Sequence, residues 1–413
     1  MIDLSAPEFW AAGPADRDAA FATLRRERPV SWQGPPPSGM PLEYQWTTGY
    51  WALVRHAEVQ AVSRDARLFR SAEGVMFEGG HPELLAASQS ILGMDPPEHT
   101  RMRRLISAAF TPRRVGMIEG RIRANAHRVI AGLEPGEEFD FVERVASTMP
   151  LATICDMMGV AEGDRPVVGG LIEVMFGLTD PFVAGDRTPM QALAHAIGGL
   201  AEVAADTAAQ RRRRPRDDVM TALVQAELDG RGLDDAEIQA FFVLLVVAGY
   251  ETTRRTTTET VRALTEFRDQ RRLLLADLEG RIEGAVEESI RWASPVSAFC
   301  RTATADTALA GQEIKAGDRV ALFYRSANRD ETVFDHPDRF DILRSPNPHV
   351  AFGGGGPHHC LGANVARVQV RALVTELLTR APDFEVGAAQ VLSDLNLNPT
   401  DRNRRVTRMP CTL

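Results

Sequence analysis

The sequence predicts a mainly α-helical fold with a small β portion, and three observations point there. Between about residues 99 and 292, apolar residues recur at three- and four-residue spacings, the period of a helix face. A last stretch, about 361–379, repeats that pattern. Short β-branched and aromatic runs bounded by turn residues are confined to about 45–70 and 296–325. With 413 residues, 44% of them hydrophobic, the chain can bury a substantial core. It has no internal repeat and no linker composition, so residues 1–413 read as one domain.

Taken in order, the first 90 residues mix strand-like pieces with turns. Pro35–Pro37 and Gly39 mark a loop, and Trp51–Val59 reads as a strand running into a short helix. Helical periodicity begins with His99–Ala109, Met117–Gly132 and Phe139–Met158, and Asp217–Asp229 continues it until Gly230–Gly232 breaks it. The run Arg211–Arg214, ended by Pro215, reads as a solvated helix end or loop. Asp234–Thr265 reads as one long helix, with Asp234 and Asp235 near its start, where carboxylates are favoured. Its middle holds Gly249, Thr252 and Thr253, poor helix formers, and the threonine hydroxyls can bond backbone carbonyls. Such a weak centre reflects either tight packing or a ligand lying against the helix. Residues 276–292 form another helix, ended near Pro295. Strands follow at Phe299–Ala303, around Gln312–Ile314 and at Arg319–Tyr324, with a hairpin-like turn at Gly317 and Asp318.

Composition narrows the function classes. A formal net charge of −9 gives no footprint for nucleic acid. Four cysteines in 413 residues are no disulfide framework and fit a reducing compartment. The N-terminus lacks a basic region followed by an apolar run. The most apolar stretch, Ala240–Ala248, is shorter than the roughly 18 residues of a membrane span, so a buried helix is the better reading. A cytoplasmic enzyme without a membrane anchor is expected.

The segment Phe352–Gly362, FGGGGPHHCLG, carries the chemistry. Its glycines invite a phosphate-loop reading, but no lysine–serine/threonine ending follows and no dinucleotide pattern precedes it. His358, His359 and Cys360 invite a zinc reading, but Cys155, Cys300 and Cys411 are isolated in sequence, and a closed site takes four ligands. A third reading has the glycines bring backbone close to a flat ligand and deliver Cys360 just before a helix starting near Leu361. N–H groups at a helix start favour a thiolate.

This segment resembles the haem-binding signature of the cytochrome P450 family, at Phe352, Gly356, His358, Cys360, Leu361 and Gly362. Phe352 lies one residue further from the cysteine than is usual, similar to actinobacterial enzymes acting on methyl-branched lipids and steroid side chains. Three more motifs resemble the family in the expected order. Asp95–His99 (DPPEH), with Arg103 and Phe110-Thr111, resembles the segment entering its third main helix. Ala248–Thr252 (AGYET) resembles its oxygen-activation motif, and Glu288–Arg291 (ESIR) its glutamate–arginine pair. Asn328–Asp330 and Phe334–Arg344 resemble the stretch before the haem loop. The resemblance spans roughly residues 45–380 and implies the P450 fold, haem b (iron protoporphyrin IX) as cofactor and O2 as co-substrate.

The same resemblance implies roles. Cys360 is the axial ligand to iron; a thiolate there promotes O–O cleavage. Thr252 and Glu251 deliver protons, and Gly249 leaves room for oxygen where the helix opens. Tyr250 replaces a smaller or polar residue and either faces substrate or packs away. His99, Arg103, Arg301 and His349 serve the haem propionates, which need cationic or donor partners. Phe352, Gly356 and His358 complete the cofactor contacts. Glu288 and Arg291, three apart on one helix face, form a structural network with an arginine before the haem loop, Arg339 as first candidate and Arg344 as second. Ala248, Val296 and Phe299 face substrate. Region 70–92, with Met76, Phe77, Leu84, Leu85, Ile91 and Leu92, forms a lid or packs as core.

The implied reaction inserts one oxygen atom of O2 into a lipophilic molecule, a lipid, terpenoid, steroid or polyketide, in lipid or secondary metabolism. The chain carries no flavin or nicotinamide fingerprint and is short for a fused reductase. Electrons are therefore expected from an external ferredoxin with an NAD(P)H-dependent ferredoxin reductase. Arg101, Arg104, Arg113, Arg114 and Arg367 offer it a basic face. A peroxide-driven peroxygenase and a non-catalytic haem or small-molecule binder are the competing readings. The pair Glu251–Thr252 argues against the first, and the complete set of ligand and proton-delivery residues against the second.

Overall fold

A strand-rich unit and a helical unit make up the computed structural model, which describes residues 2–36, 46–77, 90–107, 110, 112–178, 180–228, 230–391 and 405–413. The first unit takes Met1–Pro96, Phe267–Cys360 and Val391–Arg405; the second takes Pro97–Glu266, Leu361–Gln390 and Val406–Leu413.

The first unit is built on a five-stranded sheet. Its strand order is Val30–Gln33, Tyr50–Leu53, Arg319–Phe323, Ala298–Ala303, Phe69–Arg70. Only Tyr50–Leu53 and Arg319–Phe323 pair in parallel; the other neighbours are antiparallel. Side chains alternate across the pleat. Ala321 and Phe323 join Tyr50, Ala298 and Cys300 in one buried cluster with Trp10, Leu24, Trp46 and Phe77. Val320 and Leu322 face the other cluster, with Leu53, Val59, Val62, Tyr324 and Val350. That second face receives the helix His56–Arg64, so Trp51–Val59 does run from strand into helix. The hairpin falls at Ala310 and Gly311, both at positive φ, between Thr307–Leu309 and Gln312–Ile314. Gly317 and Asp318 instead turn the chain against Ala303: Gly317 N donates to the Ala303 carbonyl and Ala303 N to the Asp318 carbonyl. The helix expected at 276–292 is Leu278–Ala293, preceded by a separate helix Arg268–Ala276; Asp277 caps the second by accepting from Gly280 N at 3.0 Å.

In the second unit the long helix, Asp235–Glu266, is the core, packed by Thr148–Met158, Pro189–Arg213 and Ala363–Arg380. It opens with a reciprocal cap: Asp234 Oδ1 accepts from Glu237 N, and Glu237 Oε2 accepts from Asp234 N. By length and composition this helix is apolar enough to cross a membrane, which the short run Ala240–Ala248 alone did not predict. Its buried side chains run from Ile238 to Leu264, as in a core helix. Phe139–Met158 is not one helix. Glu138–Asp140 is a strand paired with Pro410–Thr412, followed by π-helical Val142–Ser147 and then Thr148–Met158. Asp140 explains the break, because its Oδ1 accepts from Val142 N and Met409 N. Of the stretch expected at Asp217–Asp229, helix covers Val219–Val224; the short strands Glu227–Leu228 and Arg231–Gly232 then pair across Gly230, and Asp229 lies outside the described residues. Nor is Arg211 solvated. It is buried, bonded to Asp218 and to the Gly159 carbonyl.

Candidate functional site

The cysteine loop belongs to the first unit. Cys360 N donates to the Phe352 carbonyl at 2.9 Å, closing the segment on itself, and leaves the thiol exposed and in no disulfide. Gly353, Gly355 and Gly356 sit at positive φ, where side chains strain the backbone. Neighbouring protein also demands glycine here. A Cβ on Gly354 would stand 2.5 Å from Ser63 Oγ, and one on Gly356 2.3 Å from the Ser63 carbonyl. The glycines let the loop lie against the end of the His56–Arg64 helix.

Behind the loop is a buried ionic network. Glu288 and Arg291 are fully buried and joined by two 2.8 Å bonds. Arg291 also donates to the carbonyls of Asn328, Pro337 and Arg339. The third charged side chain is that of Arg344, whose Nε lies 3.2 Å from Glu288 Oε2. Arg339 is corrected: its guanidinium is exposed and pairs with Asp269 at 3.2 Å, and only its carbonyl enters the network. Two further members carry no charge for sequence reading to follow. Asn347 donates to Glu288, and Asn328 donates to Ser294 and accepts from Val350 N at 2.7 Å. Through Asn328 the network reaches the start of the cysteine loop. Only the segment Asn328–Asp330, noted before the loop, signalled its place.

The expected propionate partners differ in state. Arg301 is 4% exposed, donates to the Cys300 carbonyl at 2.6 Å, and forms no ion pair among the described residues. A buried cation without a counter-charge is costly unless an anion reaches it. His349 is already engaged, with Nε2 3.1 Å from Glu287 and its Nδ1 buried and unbonded among the described residues. His358 Nε2 lies 3.1 Å from Ser71 Oγ, and Ser71 N donates to Asp95. Phe352 lies beside His349, its ring centroid 5.7 Å away. Val296 and Phe299 are half-buried against the second cluster of the sheet. Phe77 is buried core beside Trp46 and Tyr50, whereas Met76 is exposed. Ile91 is buried and Leu92 half-buried; Leu84 and Leu85 lie outside the described residues.

In the second unit, Ala248 is exposed in the middle of the long, mostly buried helix, with Leu244 and Thr252 half-buried one turn either side. That stripe is the helix's open face. Thr252 Oγ1 donates to the Ala248 carbonyl at 2.7 Å. The helix is α-helical throughout, and a Cβ on Gly249 would meet Ile154 Cδ1 at 2.9 Å. Gly249 thus makes room for the neighbouring helix Thr148–Met158. Glu251 is buried, 4% exposed, and paired with Arg254 at 3.2 Å. Tyr250 packs away from the open face, and its phenol donates to Glu173 at 2.7 Å. Burial and the Glu173 carboxylate push that phenol well up. His99 is buried and Arg103 half-buried, one turn apart on the helix Glu98–Ser107. Of the basic set, Arg104 is exposed and Arg101 and Arg367 half-buried; Thr111 and the side chains of Arg113 and Arg114 lie outside the described residues.

An exposed thiol on a braced loop and a buried guanidinium with no counter-anion among the described residues form the donor set that an iron-bearing, dianionic macrocycle requires, so the residues present fit haem. Among the described residues, no three histidine, cysteine or acidic side chains converge to hold a metal ion.

Comparison with known proteins agrees with this chemistry. Residues 282–390 match the family model described as Cytochrome P450. The chain is 42% identical over 385 residues to a methyl-branched lipid omega-hydroxylase of Mycobacterium tuberculosis, covering 92% of this chain and 89% of the relative. It is 38% identical over 372 residues to a steroid C26-monooxygenase of the same species, covering 89% and 84%. Among solved structures, Mycobacterium marinum cytochrome P450 CYP268A2 in complex with pseudoionone superposes with a TM-score of 0.92 at 47% identity, covering 100% of this chain and 98% of that one.

Proposed function

The chain belongs to the cytochrome P450 family of monooxygenases, and from that premise we propose that it hydroxylates the aliphatic end of a methyl-branched lipid or a steroid side chain. The family uses haem iron and O2, and the haem supplies the oxygen-activating chemistry. Our reading assigns this chain haem b, with Cys360 as its thiolate ligand. Arg301, His358, His99 and Arg103 hold its carboxylates, with His349 Nδ1 a further donor. The observation that carries the assignment is the exposed Cys360 thiol on a loop closed by its own N–H and braced through Asn328 and Glu288.

The remaining work falls to the chain's own groups. The open stripe of Leu244, Ala248 and Thr252 offers an apolar surface with one hydroxyl, suited to orienting a hydrocarbon chain and excluding water from it. Thr252 holds a proton at Oγ1, and Glu251 accepts one from solvent and passes it on. The substrate class rests on what the two curated relatives are named for, and on the hydrophobic ligand in the M. marinum enzyme. Electrons come from an external ferredoxin and its NAD(P)H-dependent reductase, received on the face bearing Arg104, in the cytoplasm.

Purified protein reduced under carbon monoxide tests the ligand: the thiolate-type Soret band is expected, and its loss in Cys360→Ser. A band of the imidazole type in the unaltered protein would overturn the thiolate assignment. Titration with methyl-branched fatty acids and sterols is expected to shift the spin state and yield terminally hydroxylated product. Turnover of neither class would overturn the substrate reading. Arg104→Glu is expected to slow reduction by ferredoxin about tenfold, an effect that fades with salt.

A further inference from the structure

Arg254 has no part in the reaction as described above, yet its guanidinium is 3% exposed and one turn from Glu251 on the same helix. Nη1 lies 3.2 Å from each carboxylate oxygen of Glu251. The other nitrogens are taken by backbone and side chain of two further elements. Nε donates to Ser147 Oγ at 3.1 Å, at the end of π-helical Val142–Ser147. Nη2 donates to the Val406 carbonyl at 2.9 Å, at the head of the strand Val406–Arg408. The cation is therefore fixed from three sides, within one unit of the chain. A buried carboxylate stays charged only where cations and donors face it. An anchored guanidinium facing both its oxygens is one such partner and fixes their direction.

We propose that Arg254 is the positioning residue of the proton-delivery pair: anchored on Ser147 and the Val406 carbonyl, it holds Glu251 ionised and aimed, ready to accept a proton from solvent. This rests on the assignment of Glu251 to proton delivery. The step balances: one O–H bond forms on Glu251 at the expense of solvent and breaks as the proton moves on, while Arg254 keeps its five N–H protons throughout. Mere packing would need no charge at this place, whereas positioning needs the charge and both anchors.

The test uses the haem-loaded protein and the variants Glu251→Gln, Arg254→Gln, Arg254→Lys, Ser147→Ala and Glu251→Gln with Arg254→Gln. One readout is the infrared spectrum of the resting protein, which registers a protonated carboxyl. The other is hydrogen peroxide released per NAD(P)H oxidised, with a methyl-branched long-chain fatty acid present. Arg254→Gln is expected to gain a protonated-carboxyl band that the double variant lacks. It should also raise peroxide release about tenfold, within the range general acid–base groups contribute, with the fatty acid's dissociation constant unchanged. Arg254→Lys keeps a cation and is expected to show no such band and to recover most of the coupling. Ser147→Ala removes one anchor but no charge and is expected to raise peroxide release about threefold, a fraction of the same effect. It stands as the measure should Arg254→Gln not fold. Should Glu251→Gln leave peroxide release unchanged, the assignment of Glu251 itself fails. Should Glu251→Gln uncouple the enzyme while Arg254→Gln and Ser147→Ala behave as the unaltered protein, the positioning role alone is overturned.

Discussion

At the scale of single residues, the network behind the cysteine loop separates two arginines that sequence alone does not. Both Arg339 and Arg344 lie in the stretch that precedes the loop, and the resemblance implies that one of them meets Glu288. Which side chain turns inward depends on the irregular backbone of 335–347. Arg339 N bonds the His336 carbonyl and its side chain leaves toward Asp269, while Arg344 folds back over the carbonyls of Asp335, His336 and Arg339 onto Glu288. No periodicity encodes such a turn. Arg344→Ala leaves the fully buried Glu288 with one cation fewer, and breaking a buried pair of this kind costs about 3–5 kcal/mol. Arg339→Ala breaks an exposed pair worth about 0–1 kcal/mol. Denaturant midpoints of the two variants measure the difference; equal losses would return the role to Arg339.

At the scale of elements, the long periodic helices were legible, and what sequence missed was what neighbours impose. Glu138–Asp140 has helical-looking flanks but is drawn into a strand by the C-terminal residues 410–412, a pairing across most of the chain. Glycines are a second case. Gly249 in the central helix and the glycines of the cysteine loop were assigned to the ligand side, and sequence gave no sign that both also make room for adjacent protein. What a methyl group would meet decides the cost of alanine. At Gly249 it meets the tip of Ile154, a flexible side-chain end, and alanine returns about 1 kcal/mol of helix propensity. Gly249→Ala is therefore expected to leave stability within about 1 kcal/mol of the native protein. Gly284, in the helix Leu278–Ala293, would instead drive a Cβ to 2.4 Å from the Ile342 carbonyl, backbone that cannot rotate aside. Gly284→Ala is expected to lose about 1–3 kcal/mol despite its better propensity, as overpacking does. Urea unfolding of the pair reads the contrast, and a stabilised Gly284→Ala would contradict the packing.

For the whole molecule, four motifs in order were enough to name the fold, because each marks chemistry that must recur at a fixed place. Composition and periodicity alone gave only a helical protein with some strand. They gave no view of two units, since each unit gathers segments far apart in the chain and neither has a boundary that composition could mark. The same burial sets a property of the folded state that sequence does not carry. Cys155 and Cys411, both in the helical unit, are pushed up to about 12 from an ordinary value of 9.0, chiefly by burial; Arg165 opposes the shift at Cys155, and Glu385 adds to it at Cys411. In the unfolded chain these thiols lose their protons near pH 9, while the folded protein retains them to about 12. Across that window the unfolded state binds fewer protons, so stability falls as pH rises. The contribution is whole below about pH 9 and gone above about pH 12. Buried Tyr50, Tyr250 and Tyr324 are raised as well, and they steepen the alkaline limb in every variant. The thiol share is isolated by replacing Cys155 and Cys411 with alanine together. That variant is expected to be less stable at neutral pH, from the space it opens, but to lose stability more slowly through the alkaline window. Urea midpoints taken at intervals from neutral to strongly alkaline pH give both slopes. Parallel slopes would mean that the two thiols ionise as freely in the folded protein as in the unfolded chain, against the burial of both side chains.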